Sequence, residues 1–214
     1  FSAKRGELVA ASRTLRFTSA TALGAKEQTA SAGEPWTRGR AGTHLGRAVH
    51  AALQSLPLAA DDASIRNFAL AQAVAEAIPE QADEVVDLVR RALQSQAAAR
   101  ARSAAQALRE VPFVVPFDSI IIEGYIDLLI EGEEGLEIVD WKTDRLAEGE
   151  VNSRLAEYQL QAGLYVLGLE KVLGRAAQRV TYVFLDPQRE ERLEPIEDLR
   201  QAAREAISRH SLGQ

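Results

Sequence analysis

The chain has no cysteine and no methionine, and only 6% of its residues are aromatic. Without thiols it can form no disulfide, no thiolate zinc site and no cysteine-ligated iron–sulfur cluster, so any bound metal must be held by histidine, carboxylates or carbonyls. Long apolar runs are also missing. Nothing approaches the ~20 consecutive residues that cross a bilayer, and no signal peptide is visible. The expectation is a cytoplasmic protein with no membrane partner. The chain opens at Phe1 with no initiator residue, which reads as a piece of something longer.

What is present suits one globular domain over 1–214. At 214 residues, 46% hydrophobic and 26% charged, the chain can bury about 70% of its unfolded surface. Its net charge of −6 is unevenly spread: eight basic against three acidic side chains in residues 1–50 leave that third at +5 and the remainder at −11. A basic arm on an acidic body could guide a polyanion, or it could be a solvated surface.

Periodicity divides the chain. "TLRFTSATALGAKE" reads as a short extended piece and then a helical turn begun at Ser19 or Thr21, and "TASAGEPWTRGRAGT" reads as a loop. Leu45, Val49, Leu53 and Leu56 recur at helical intervals from Thr43 until Pro57 ends the pattern. The Ala-rich stretch 61–109 predicts a helical insert, with helices near 62–78, 82–96 and 99–109. From Val111 the period becomes that of strands: a meander of about three through Asp144, a helix over 153–170, a strand over 179–185 and a helix over 194–208. A core of sheet and helix over 111–185 follows, in a mixed α/β arrangement.

Chemistry concentrates in "EIVDWKTD", 137–144, where Asp140 and Lys142 interrupt an apolar strand. Side chains two apart share a strand face, so a carboxylate and an ammonium sit together while Trp141 points the other way. "GYIDLLIE" lies on the far side of the turn at 131–135, which lets Asp127 face Asp140. Two poorly solvated carboxylates repel by several kcal/mol. A cation between them removes that cost, and oxygen ligands suit Mg²⁺ or Mn²⁺. The same residues also fit exposed hairpin carboxylates with a surface Asp–Lys contact. Three features stand beside them: His50 in "GTHLGRAVH", Glu110 placed just before the first strand, and Gln161 with Tyr165 one helical turn apart, Tyr158 on the same side. Singly, each also fits a packed histidine, a helix-end charge and an amphipathic helix.

In this order the residues resemble the RecB-like branch of the PD-(D/E)xK nuclease superfamily: G-x-x-x-H ending at His50, Glu110 before a strand, G-x-x-D ending at Asp127, D-x-K at Asp140 and Lys142, and Q-x-x-x-Y at Gln161 and Tyr165. The resemblance runs from about Thr18 to Leu185 and is closest to the nuclease module at the carboxyl end of RecB-, AddA- and UvrD-type helicase–nucleases. Ile126 stands where the superfamily name has Pro, and the four cysteines of its iron–sulfur branches are absent.

The resemblance implies a restriction-endonuclease-like core, a mixed sheet flanked by helices, with the Ala-rich insert beside the active site. It implies metal-dependent DNA hydrolysis, of exonuclease type, in double-strand-break repair and recombination. It implies Mg²⁺ or Mn²⁺ held by His50, Asp127, Asp140 and the carbonyl of Trp141, catalysis by Asp127, Asp140 and Lys142, and a supporting or second-metal role for Glu110. Gln161, Tyr165 and Tyr158 then support substrate or Lys142. The implied partners are DNA and a helicase motor, in the same chain or on a separate one. A catalytically silent DNA-binding module and a helical interaction scaffold are the rival readings.

Overall fold

The computed structural model describes residues 16–19, 42–117 and 120–212. The helical turn expected beyond Ser19, the loop expected before Gly42, most of the basic arm and residues 118 and 119 lie outside them.

A six-stranded sheet organises the chain: β1 (Arg16–Ser19), β2 (Gln106–Phe117), β3 (Ile120–Gly132), β4 (Gly135–Arg145), β5 (Ala177–Asp186) and β6 (Arg189–Leu193). β2 runs antiparallel along the whole of one edge of β3. The other edge of β3 is shared. β4 pairs antiparallel with Leu128–Gly132 and β1 pairs parallel with Ile120–Glu123, so residues 124–127 have neither as a ladder partner. Beyond Val139 strand β4 parts from β3 and continues parallel to β5, with Asp140 opposite Tyr182 and Lys142 opposite Phe184; β6 closes the sheet antiparallel to β5. The sheet therefore forks where Asp127 and Asp140 stand.

Helices cover both faces. On one lie α1 (His44–Ser55), α2 (Asp62–Ala75), α3 (Ala82–Gln94) and α4 (Gln96–Ser103), packed with Leu128, Ile130, Val139, Trp141, Val183 and Leu185. On the other lie α5 (Val151–Leu173) and α6 (Ile196–Leu212), packed with Ile122, Ile126, Leu129, Ile138, Tyr182 and Phe184. This is the mixed sheet flanked by helices that the sequence led us to expect. Among the described residues no helix is long and apolar enough to cross a membrane.

Local chemistry explains most boundaries. Thr43 caps α1, accepting from the Gly46 N–H at 3.1 Å, and Pro57 follows its end. Asp61 caps α2 and Ser95 caps α4 through their side-chain oxygens. The helix expected over 99–109 is α4, which ends at Ser103. Residues 106–109 instead pair with Leu128–Glu131, because the long partner strand outweighs the weak strand preference of Gln-Ala-Leu-Arg. The first strand therefore begins before Val111, and Glu110 lies inside it rather than ahead of it. Strand β6, unmarked by apolar alternation in "REERL", is a further addition.

Candidate active site

The fork is marked by a break in the alternation of side chains. Ile120, Ile122 and Ile126 face the α5 layer, whereas Leu128 and Ile130 face the α1–α4 layer, so the even positions change sides at Asp127. Glu110 faces that residue across the ladder, between the pairs Arg109–Leu128 and Val111–Ile126, and its backbone has φ of +51°. A non-glycine residue in this region costs about 1–3 kcal/mol and persists only where its surroundings impose it. The neighbouring Arg109 guanidinium donates to the Leu53 and Leu56 carbonyls at the end of α1, which ties β2 to that helix beside the fork.

His50 arrives from α1 on the same side. A Cβ added at Gly46 would lie 3.1 Å from the Thr143 hydroxyl. This turn of α1 therefore lies close against β4, with little room for a side chain at position 46, and His50 follows one turn later on the same helix face. Its Nδ1 lies 3.2 Å from Asp127 Oδ1. Asp127 Oδ2 accepts from the Trp141 N–H at 2.8 Å, a bond that spans the fork after the β3–β4 ladder has ended. His50, Glu110 and Asp127 each offer a ligand atom, and the three lie within 4.8 Å of one another, a group that could hold a metal ion.

Asp140 stands outside that trio and faces the other charged element. Lys142 Nζ is 2.7 Å from Asp140 Oδ2 and donates to Gln161 Oε1 at 2.9 Å; Gln161 Nε2 donates to Tyr165 at 2.8 Å. The Tyr158 ring lies beneath the ammonium, 4.0 Å from centroid to Nζ. The fork thus carries three acids, a histidine and a lysine, with Asp127 and Asp140 almost wholly buried. Neither His50 Nδ1 nor Asp140 Oδ2 makes a properly aligned hydrogen bond. Buried polar atoms are rarely left so.

Against this geometry, the sequence profile of the PD-(D/E)XK nuclease superfamily matches residues 4–212. The chain belongs to the PD-(D/E)XK nuclease superfamily. A Carboxydothermus hydrogenoformans protein described as an ATP-dependent helicase/nuclease subunit is 38% identical over 76 residues, covering 36% of this chain and 6% of that protein. ATP-dependent helicase/nuclease proteins of the same description from Alkaliphilus oremlandii and Heliobacterium modesticaldum are 29% and 32% identical over 158 and 164 residues, covering 65% and 61% of this chain. The chain spans only 13% and 11% of their lengths. A crystal structure from Eubacterium rectale, described as a candidate exonuclease, aligns with a TM-score of 0.51 at 13% identity, over 78% of this chain and 64% of that one. That likeness concerns the fold alone.

The electrostatics of the fork separate its two aspartates. Burial pushes the Asp127 carboxyl up, but the His50 ring, the Trp141 N–H and Lys142 together outweigh it and hold the group below the usual carboxylate range. Burial also pushes Asp140 up, and with the Asp127 charge beside it Lys142 does not compensate; its pKa rises to about 6. The neighbouring carboxyls are thus shifted in opposite directions, Asp127 down and Asp140 up.

Of the residues singled out from sequence, the fold gathers His50, Glu110 and Asp127 as one group and Asp140, Lys142, Gln161, Tyr165 and Tyr158 as its neighbour. Trp141 reaches the site through its N–H, while its ring is buried in the α1–α4 layer. Two residues escaped the sequence reading. Tyr182, opposite Asp140 on β5, stacks on Tyr158 at 5.4 Å. Asp144 accepts from Tyr158 and Arg154 at 2.9 and 2.8 Å. Asp144 had a signal, since it stands two residues beyond Lys142 and shares its strand face. Tyr182 had none, because its partner strand is set by a parallel crossover.

Proposed function

We propose that the chain is a divalent-metal-dependent deoxyribonuclease acting on DNA phosphodiester bonds. The observation that carries this reading is the fork itself, where buried acids and a histidine converge with hydrogen-bonding capacity left over. Such a donor set fits Mg²⁺ or Mn²⁺: oxygens and one imidazole, with no thiolate. His50, Glu110 and Asp127 would hold the ion, with Asp140 and the Trp141 carbonyl at its border. When bound, the ion supplies Lewis-acid stabilisation of the charge that builds on a scissile phosphate and promotes deprotonation of the attacking water.

The chain's own groups do the remainder. Asp127, fixed by the Trp141 N–H, and His50, fixed by α1, keep the ligand atoms in place before substrate arrives. Lys142 presents a positive charge held between Asp140 and Gln161, where it stabilises the added negative charge of the displacement and orients the water. Water forms the new P–O bond, and the bridging oxygen leaves with its electron pair. These groups act on phosphate rather than on bases, so sequence-specific readout is not implied.

The relatives described as helicase/nuclease components support placing this nuclease in a longer protein with a motor, in the same chain or on a separate one, that processes DNA ends in repair and recombination. Incubation of the chain with linear and circular, single- and double-stranded DNA in Mg²⁺, Mn²⁺ or excess chelator tests the chemistry. Cleavage with either ion, preference for linear substrates and silence in chelator are expected. Undiminished cleavage in chelator would refute the metal mechanism.

A further inference from the structure

Lys142 has a long flexible stem, and an ammonium on four carbons loses much rotamer freedom when it must hold one position. Its ammonium is ion-paired with Asp140 at 2.7 Å and donates to Gln161, and two aromatic rings also face it. Nζ lies 4.0 Å from the Tyr158 centroid and 5.0 Å from that of Tyr182, within the range where a ring face attracts a cation. The two rings are nearly parallel, with 16° between their planes.

Tyr182 projects from the centre of the sheet and is wholly buried, so its position is set by packing. Tyr158 projects from the second turn of α5 and is only partly buried. Its ring stacks on Tyr182 and packs near Phe184, and its hydroxyl ties it to β4 by donating to Asp144 Oδ2 at 2.9 Å. The other oxygen of Asp144 accepts from Arg154 Nη2 at 2.8 Å, and Arg154 lies one turn before Tyr158 on the same helix. Asp144 therefore clasps two successive turns of α5 to the end of β4, two residues past the lysine.

We propose that Asp144 is a positioning residue, which acts through the Tyr158 hydroxyl to fix the aromatic ring that aims Lys142 at the reacting phosphate. This rests on the nuclease reading for its catalytic consequence, but not for its structural one. A ring held against an ammonium changes a rate by about two- to tenfold, the share of Lys142's contribution that depends on aim rather than charge.

The test cuts one bond from either side. Asp144→Ala removes the acceptor and Tyr158→Phe removes the donor while keeping the ring's shape. In nuclear magnetic resonance spectra of the wild-type chain, the Lys142 Cε protons should be shifted upfield by the ring current. Both variants should lose the same part of that shift, the double variant should lose no more, and Tyr158→Leu should lose most. Single-turnover cleavage should slow about two- to tenfold in each single variant and no further in the double, with Mn²⁺ and DNA affinity unchanged.

An unaltered Lys142 shift in Tyr158→Phe overturns the proposal, as does a multiplicative loss of rate in the double variant. Either would leave Asp144 as a brace for α5. Should Asp144→Ala fail to fold, the isosteric Tyr158→Phe decides by the same spectrum. A wild-type chain that cleaves no DNA would refute the nuclease reading, while the proton shifts would still decide the clasp.

Discussion

Strand β4 carries two buried carboxylates three residues apart, on opposite faces of the sheet, and they are treated in opposite ways. Glu137 faces the α1–α4 layer, where Arg100 donates to both of its oxygens at 3.0 and 2.7 Å, Thr181 donates at 2.7 Å and Arg179 stands at 3.4 Å. Arg100 is itself shared with Glu190, whose other oxygen accepts the Ala97 N–H at the start of α4. Burial pushes the Glu137 carboxyl up, but these partners outweigh it and hold it below its usual range. Asp140 has one cation, one neighbouring acid and an oxygen without a well-aligned hydrogen bond, and its pKa rises to about 6. A buried charge that is fully paired locks elements together. One that is left short of partners marks a candidate functional position.

The comparison can be broken at its strongest point first. Glu137→Ala leaves Arg100 and Arg179 without their shared acid, and loss of one member of a buried pair costs about 3–5 kcal/mol; urea denaturation should show this, with little change in cleavage rate per folded molecule. Lys142→Ala should do the converse. It should lower the rate by about 10²–10³, the effect of removing one preorganised stabiliser of developing charge, while calorimetric titration still shows Mn²⁺ binding. Equal loss of Mn²⁺ affinity in Lys142→Ala and Asp140→Ala would mean the lysine is part of the ligand frame.

The third effect is that of the ion. Mn²⁺ at a hundred times its dissociation constant should stabilise the wild type by about 2.7 kcal/mol. The same addition should stabilise Asp127→Ala far less, because His50 and Glu110 lose their common neighbour. A matching shift in both proteins would place the ion elsewhere.

The smallest effect is the most discriminating, because the two acids give pH dependences of opposite sign. The folded-state pKa of Glu137 is lowered, so its stabilisation is present above its unfolded value of 4.5 and is lost as pH falls below that. The folded-state pKa of Asp140 is raised from 3.8 to about 6, so its contribution is complete below 3.8 and is lost as pH rises through 6. In chelator, wild type should therefore gain stability relative to Asp140→Asn as pH falls from 7.5 to 4.5, by at most about 1.4 kcal/mol per pH unit. Relative to Glu137→Gln it should lose stability only at lower pH. Mn²⁺ affinity should change little above pH 7 and fall below pH 6, where Asp140 keeps its proton. Urea midpoints and Mn²⁺ titrations across that range measure both; parallel curves for the two variants would remove the distinction.

Sequence by itself determined the elements whose signals are local. Pro57, the capping Thr43 and the 3.6-residue recurrence of Leu45, Val49 and Leu53 mark α1, and the alternation around Gly132–Gly135 marks the hairpin of β3 and β4, because caps, turns and periodicity act within a few residues. Such signals also put Asp140 and Lys142 on one strand face and Gln161 and Tyr165 one helical turn apart. Tertiary structure alone decided where β2 begins, since Gln106–Arg109 become strand only by pairing with a distant partner. It alone decided that β4 leaves β3 after Val139, which opens the fork, and that the pairing of β2 and the approach of α1 bring Glu110 and His50 to Asp127 there. It likewise set Asp144 against Tyr158 and Tyr182 beneath Lys142. The physical reason is the same in each case: which side chains meet across a fork depends on pairings and helix approaches between residues tens of positions apart, and no short window of sequence contains both partners.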